Sequence, residues 1–177
     1  DSLNADKDSY GVPRSKSIQT TPAHQLALAA VYYSPLQYMY WYDKPSDSQD
    51  EPELKFFDDV YTTWDDTKVL QGEVGEFITI ARRKGEEWFI GSITNNEKRV
   101  LSVSLDFLPE GKNYIAEIYT DGDKSVKTRT KVRVSTYRVS NKTKLNFCLK
   151  ASGGGAVRLV PDDGNIKSVK NYKQQRL

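Results

Sequence analysis

Gly72 to Asp121 reads GEVGEFITIARRKGEEWFIGSITNNEKRVLSVSLDFLPEGKNYIAEIYTD, and this stretch decides the fold. Four apolar-alternating runs are separated by turn chemistry: Glu76–Arg82, Glu87–Thr94, Arg99–Phe107 and Asn113–Thr120. Between them lie a charged turn at Arg83–Glu86, the Thr94-Asn95-Asn96-Glu97 turn and Pro109-Glu110-Gly111-Lys112. Leu101, Val103 and Leu105 alternate with Ser102 and Ser104, the period-two pattern of a strand with one wet face. Short runs at this spacing predict antiparallel hairpins in a sandwich or barrel.

Working outward, Asp121-Gly122-Asp123 marks a turn. Strands are predicted over Val126–Ser135, through Leu145, Phe147 and Leu149, and over Ala156–Val160 after a Gly153-Gly154-Gly155 bend. The count reaches about seven or eight, enough for a sandwich. The predicted core is Ile78, Ile80, Leu101, Val103, Leu105, Ile118, Leu145, Phe147 and Leu159.

The section before the sandwich has another character. Residues 1–20 are polar and read as a loop, or as a segment ordered only against something else. Thr21-Pro22 predicts an N-cap and a first-turn proline, opening a broadly apolar helix over Ala23–Tyr33 that Ser34-Pro35 ends. A short buried strand is expected at Leu36–Trp41, and an acidic amphipathic helix at Pro52–Val60 with Leu54, Phe57 and Val60 at helical spacing. Two helices and one strand cannot close a core, so this section is expected to need partners.

Charge and composition narrow the function classes. The chain has 177 residues and a net charge of +2, yet no acid occurs from Lys124 to Pro161. Lys127, Arg129, Lys131 and Arg133 alternate with Thr128, Thr130 and Val132, which reads as the wet face of an edge strand. Without aromatics to stack on bases, the row does not favour nucleic acid. Cys148 is the single cysteine, so no intrachain disulfide forms; between Phe147 and Leu149 it is expected to be a buried, inert thiol. No apolar run approaches the roughly 18 residues of a membrane span. The polar opening DSLNADKD is not a signal peptide, which in a fragment would lie upstream.

Several stretches resemble the C-terminal portion of glycoside hydrolase family 97. They are Asp65-Asp66-Thr67-Lys68-Val69-Leu70, Gly72-Glu73-Val74-Gly75-Glu76-Phe77, Glu87-Trp88-Phe89-Ile90-Gly91-Ser92 and Leu105-Asp106-Phe107-Leu108. Upstream, Ala23-His24-Gln25-Leu26-Ala27-Leu28 and Ser34-Pro35-Leu36-Gln37 are similar to the end of that family's catalytic barrel. The resemblance implies a mostly β chain: an antiparallel sandwich preceded by the last α-β-α elements of a (β/α)8 barrel. It divides the sequence into 1–62, the incomplete end of the barrel; 63–161, the sandwich; and 162–177, a tail that is mobile or a local addition.

The resemblance also implies a parent α-glycosidase of bacterial periplasmic or secreted type, acting on α-glucosides or α-galactosides with calcium. This chain would then supply structural support and oligomerisation, alone inactive, partnered by the remaining barrel and by further copies of itself. Catalytic carboxylates and calcium ligands would lie upstream, so no catalytic residue and no metal ligand is assigned here. The alternative is a free-standing carbohydrate-binding or protein-interaction sandwich.

Candidate chemistry is sparse. Glycoside hydrolysis uses two carboxylates, and the candidate pairs are Glu51/Glu53, Asp58/Asp59, Asp65/Asp66 and Glu86/Glu87, all expected to be solvated. His24 has no ligand-spaced partner and reads as a helix-packing residue. Trp41, Tyr42 and Asp43 would emerge at the C-terminal end of a barrel strand, where barrel active sites lie, and form the candidate substrate-binding set. The competing role for Trp41 and Tyr42 is to seal the barrel against the sandwich.

Overall fold

The computed structural model describes residues 19–37, 41, 51–165 and 168–173. Eight strands carry the fold: β1 Asp66–Glu73, β2 Phe77–Lys84, β3 Glu87–Thr94, β4 Arg99–Ser104, β5 Asn113–Asp121, β6 Val132–Ser140, β7 Lys144–Leu149 and β8 Gly154–Pro161. Six form one sheet in the order β1-β2-β3-β8-β5-β6, while β4 and β7 form a second. Every pairing within the two sheets is antiparallel. Helix α1 (Pro22–Val31) lies against the larger sheet, and a 3-10 turn at Pro52–Leu54 runs into the short α2 (Lys55–Asp59).

The two-sided burial follows from alternation. Leu101, Val103, Leu145 and Phe147 from the small sheet meet Ile90, Ala116, Ile118, Val157 and Leu159 from the large one. On the other face of the large sheet, Phe89, Tyr119, Val132 and Ala156 pack with Ala23, Leu26, Ala27 and Ala30 of α1 and Phe56 of α2. The predicted core residues are buried, except that Ile78 is half-buried.

Four local expectations are corrected. The Lys127–Lys131 row is a loop; the chain turns at Lys131 (φ 57°), and β6 begins only at Val132. There Lys131 Nζ donates to the Val126 carbonyl at 3.0 Å, and the Thr130 hydroxyl donates to Glu53. Specific side-chain partners outweigh the strand-like alternation. Cys148 is exposed, because Leu145, Phe147 and Leu149 take the inward positions and leave it outward opposite Val100. Gly154 and Gly155 belong to β8 rather than to a bend. In α2 it is Phe56 that is fully buried, with Phe57 beside it only half-buried.

The α1 helix is not left without a partner. Its alanine face sits so close to the sheet that a Cβ on Gly91 would fall 2.5 Å from the Ala27 carbonyl oxygen. A Cβ on Gly154 would fall 2.6 Å from the Cα of His24. With Ala156 paired opposite Gly91, these small residues make a floor that admits the helix backbone. Thr21 caps the helix by accepting from His24 N–H at 3.2 Å, with Pro22 in the first turn, and the helix stops at Val31 because Tyr32 is extended. Of the expected strand at Leu36–Trp41, Leu36 and Gln37 are not in a strand, and residues 38–40 lie outside the described ones.

Candidate functional surface

Arg82 of β2 fixes where the end of α1 lies. The residue is only 2% exposed. Nε donates to the Ala30 carbonyl at 2.5 Å, Nη2 to the Val31 carbonyl at 2.8 Å and Nη1 to the Thr67 hydroxyl at 2.8 Å. Those carbonyls are among the last of the helix, where free acceptors and the negative end of the helix dipole favour a cation. Burial lowers the pKa of the Arg82 guanidinium.

Beyond this anchor the chain exposes apolar surface. Tyr33, 75% exposed, lies with its ring 5.1 Å from the Arg82 guanidinium, and Leu36 is 71% exposed. With Gln25, Leu28, Tyr32 and Gln37 they line a shallow depression of about 390 Å³. Gln37 holds the turn in shape, its Nε2 donating to the carbonyls of Ala29, Tyr32 and Ser34 at 3.2 Å each. The segment that follows α1 therefore presents two exposed tyrosines and a leucine.

Trp41 is half-buried. Its indole N–H donates to Glu51 Oε2 at 2.7 Å, and its ring meets Phe57 edge-on at 5.5 Å. Tyr42 and Asp43 lie outside the described residues.

The candidate carboxylate pairs are not arranged across a common cleft. Glu51 and Glu53 are buried, against expectation, because Glu51 accepts from Trp41 and Glu53 from Thr130. Asp59 and Glu87 both bind Arg158, at 2.8 Å each, in a cluster that Lys55 and Glu117 complete. Asp65 accepts from Gly85 N–H and Lys84, which hold its carboxyl below the ordinary range. Glu86 pairs with Lys112 at 3.0 Å. His24 is a packing residue as expected, with Nδ1 3.1 Å from the Gly153 carbonyl, and burial lowers its pKa.

The fold and its surface define an antiparallel β-sandwich domain that bears a helix on its larger sheet and an apolar face beside that helix. Residues 63–160 match the family described as glycosyl-hydrolase 97 C-terminal, oligomerisation, and the chain belongs to it. It is 34% identical over 158 residues to a retaining alpha-galactosidase of Bacteroides thetaiotaomicron (strain VPI-5482). That match covers 88% of this chain and 23% of the relative. A glycoside hydrolase family 97 enzyme from Pseudoalteromonas sp. strain K8, solved with acarbose, superposes with a TM-score of 0.73 at 37% identity, over 81% of this chain and 23% of that one. A beta-arabinopyranosidase shares the fold at 24% identity and a TM-score of 0.64, over 84% and 22% of the two chains. The chain thus spans about a quarter of the length of these relatives.

Proposed function

We propose that this chain is the C-terminal part of an α-glycosidase acting on α-galactosides or α-glucosides. In it the sandwich braces a catalytic barrel and joins copies of the enzyme. The observation that carries this reading is the 34% identity to a retaining alpha-galactosidase over most of this chain but only 23% of the relative. The apolar end of α1, with Tyr32, Tyr33 and Leu36, is the surface on which the barrel rests; an aromatic, apolar patch of this kind favours a protein contact.

In this reading hydrolysis belongs to residues elsewhere in the parent, which is periplasmic or secreted, and the bound oligosaccharide lies with them. Calcium, implied by the family, also belongs there. Among the described residues no group of three or more His, Cys, Asp or Glu is placed to hold a metal ion. Asp59, Glu87 and Glu117 are instead held in ion pairs with Arg158 and Lys55.

The test compares the gene's full product, the product cut before residue 63 and the 177-residue chain. Each is assayed on nitrophenyl α-galactoside and α-glucoside with and without calcium, and sized by light scattering. Activity in the full product alone, with a smaller assembly after the cut, is expected. Turnover by the 177-residue chain that a single Asp or Glu change abolishes would overturn the reading.

A further inference from the structure

The two sheets are unequal, and the mismatch leaves a cleft. β7 packs over β5 and β8, and β6 at the end of the large sheet extends past it. On the inner face of β6, Arg133, Ser135 and Tyr137 stand opposite Thr120, Ile118 and Ala116. The tail closes the far side. Arg138 N–H donates to the Lys170 carbonyl and Tyr172 N–H to the Arg138 carbonyl, each at 2.9 Å, so the tail runs parallel beside β6. Tyr172 then reaches across: its hydroxyl accepts from Asn146 N–H at 3.1 Å, and its ring meets Tyr137 at 5.3 Å and 88°.

The space enclosed is about 790 Å³, with Ile118, Leu145 and Phe147 as floor and Arg133, Lys170 and Lys173 among its walls. Among the described residues no acidic side chain lines it. Arg133 does pair with Asp123 at 3.0 Å, but both side chains are largely exposed, and a pair of that kind yields readily to a competing anion.

We propose that this cleft binds an anionic carbohydrate, a short glycan carrying carboxylate or sulfate. Tyrosine rings and an apolar floor accept the C–H faces of a pyranose. Ser135 and Thr120 supply hydroxyl groups for sugar hydroxyls, and the three cations take the acidic substituent. The preference for a sugar over other ring-bearing anions rests on the glycosidase reading above. A nucleic acid fits less well. Tyr137 and Tyr172 stand perpendicular, so they offer no parallel platforms for successive bases, and the volume is that of a small-ligand pocket rather than a strand-tracking groove.

The experiment titrates the 177-residue chain with tri-galacturonate, maltotriose and hexathymidylate by calorimetry, with no hydrolysis measured. Its failure is therefore separate from failure of the glycosidase assay. Tri-galacturonate is expected to bind at least about tenfold more tightly than maltotriose, and to weaken as salt rises. Lys170→Glu with Lys173→Glu, both exposed, should cost about tenfold or more in a variant whose melting temperature matches the parent's. Lys124→Glu with Lys127→Glu changes the net charge equally in a loop outside the cleft and should cost less than about twofold. No measurable binding, equal losses in the two double variants, maltotriose binding as tightly, or tighter binding of hexathymidylate would each overturn the proposal.

Discussion

Arg82 Nη2 donates to the carbonyl oxygen of Val31 at 2.8 Å, joining the second strand of the sandwich to the last residue of a helix 51 positions earlier. The contact makes α1 part of the sandwich's own structure, since the same guanidinium also binds Ala30 and Thr67. The helix and the sandwich are thereby fastened to each other.

Arg82→Met should destabilise the chain by about 2–4 kcal/mol, because it strands the buried carbonyls of Ala30 and Val31. Arg82→Lys should recover only part, since one ammonium cannot reproduce a three-way fork. Urea unfolding of the three proteins measures both. A Lys variant as stable as the parent would show that charge alone sets the contact.

Gly91→Ala tests the close approach from the sheet side. The new methyl would sit 2.5 Å from the Ala27 carbonyl oxygen and 2.9 Å from a Val31 methyl, so the helix must shift. The expected loss is roughly 1–3 kcal/mol, from overpacking alone. Gly75→Ala makes a useful contrast. Nothing lies within 4 Å of its Cβ position, so any loss there comes from its φ of 79°.

The sequence made some of this architecture readable and hid the rest for identifiable reasons. Leu101, Val103 and Leu105 announce a half-buried strand because an alternating pattern has one reading once a single face is wet. β1 is harder to see, because the register slips between Val69 and Gln71 and Gly72 interrupts the pattern. Residues 127–131 imitate a strand, yet contacts made by Thr130 and Lys131 fold them into a loop. The seating of α1 depends on Gly91 and Gly154 lying under it, a fact of strand register that neither glycine reveals alone. The same holds for the cleft. Arg133 and Lys170 are brought together by the tail's return along β6, 37 residues further along the chain.

Val103→Asp should unfold the sandwich, and Val100→Asp should not. Val103 is 1% exposed in the core between the sheets, where an unpaired carboxylate costs several kcal/mol or forces the chain open. Val100 lies on the opposite face of the same strand and is 56% exposed, so its substitution should fall within about 0.5 kcal/mol of the parent. Equal melting temperatures for the two variants would mean that the β4 register is wrong.

Trp41→Ala in the full-length enzyme separates packing from substrate contact. The indole N–H on Glu51 and the ring edge on Phe57 predict a loss of stability, about 2–4 kcal/mol by the usual scale for a half-buried aromatic, with little change in kcat/KM. An unchanged melting temperature with a raised KM would instead give Trp41 a substrate-facing role. Trp41→Phe keeps an aromatic face but loses the indole N–H on Glu51 and part of the ring volume, so its stability should fall between those of Trp41→Ala and the parent.

The last prediction concerns pH. His24 sits at the start of α1 with Nδ1 3.1 Å from the Gly153 carbonyl, and the backbone of the residue it occupies lies against Gly154. Burial lowers its pKa, and the Gly153 carbonyl and the Asp121 carboxylate only partly oppose this. The unfolded chain therefore takes up a proton on His24 at a higher pH than the folded one does. Above the unfolded value of 6.5 the imidazole is neutral in both states, and its contribution to stability is fully present. As pH falls below 6.5 the unfolded state binds the proton first, and stability declines until the folded state's lower pKa is passed. Thermal unfolding followed from pH 8 to pH 5 should show this decline, and His24→Gln, which cannot titrate, should flatten it. A variant whose melting temperature falls as steeply as the parent's over that window would place the acid sensitivity in other groups.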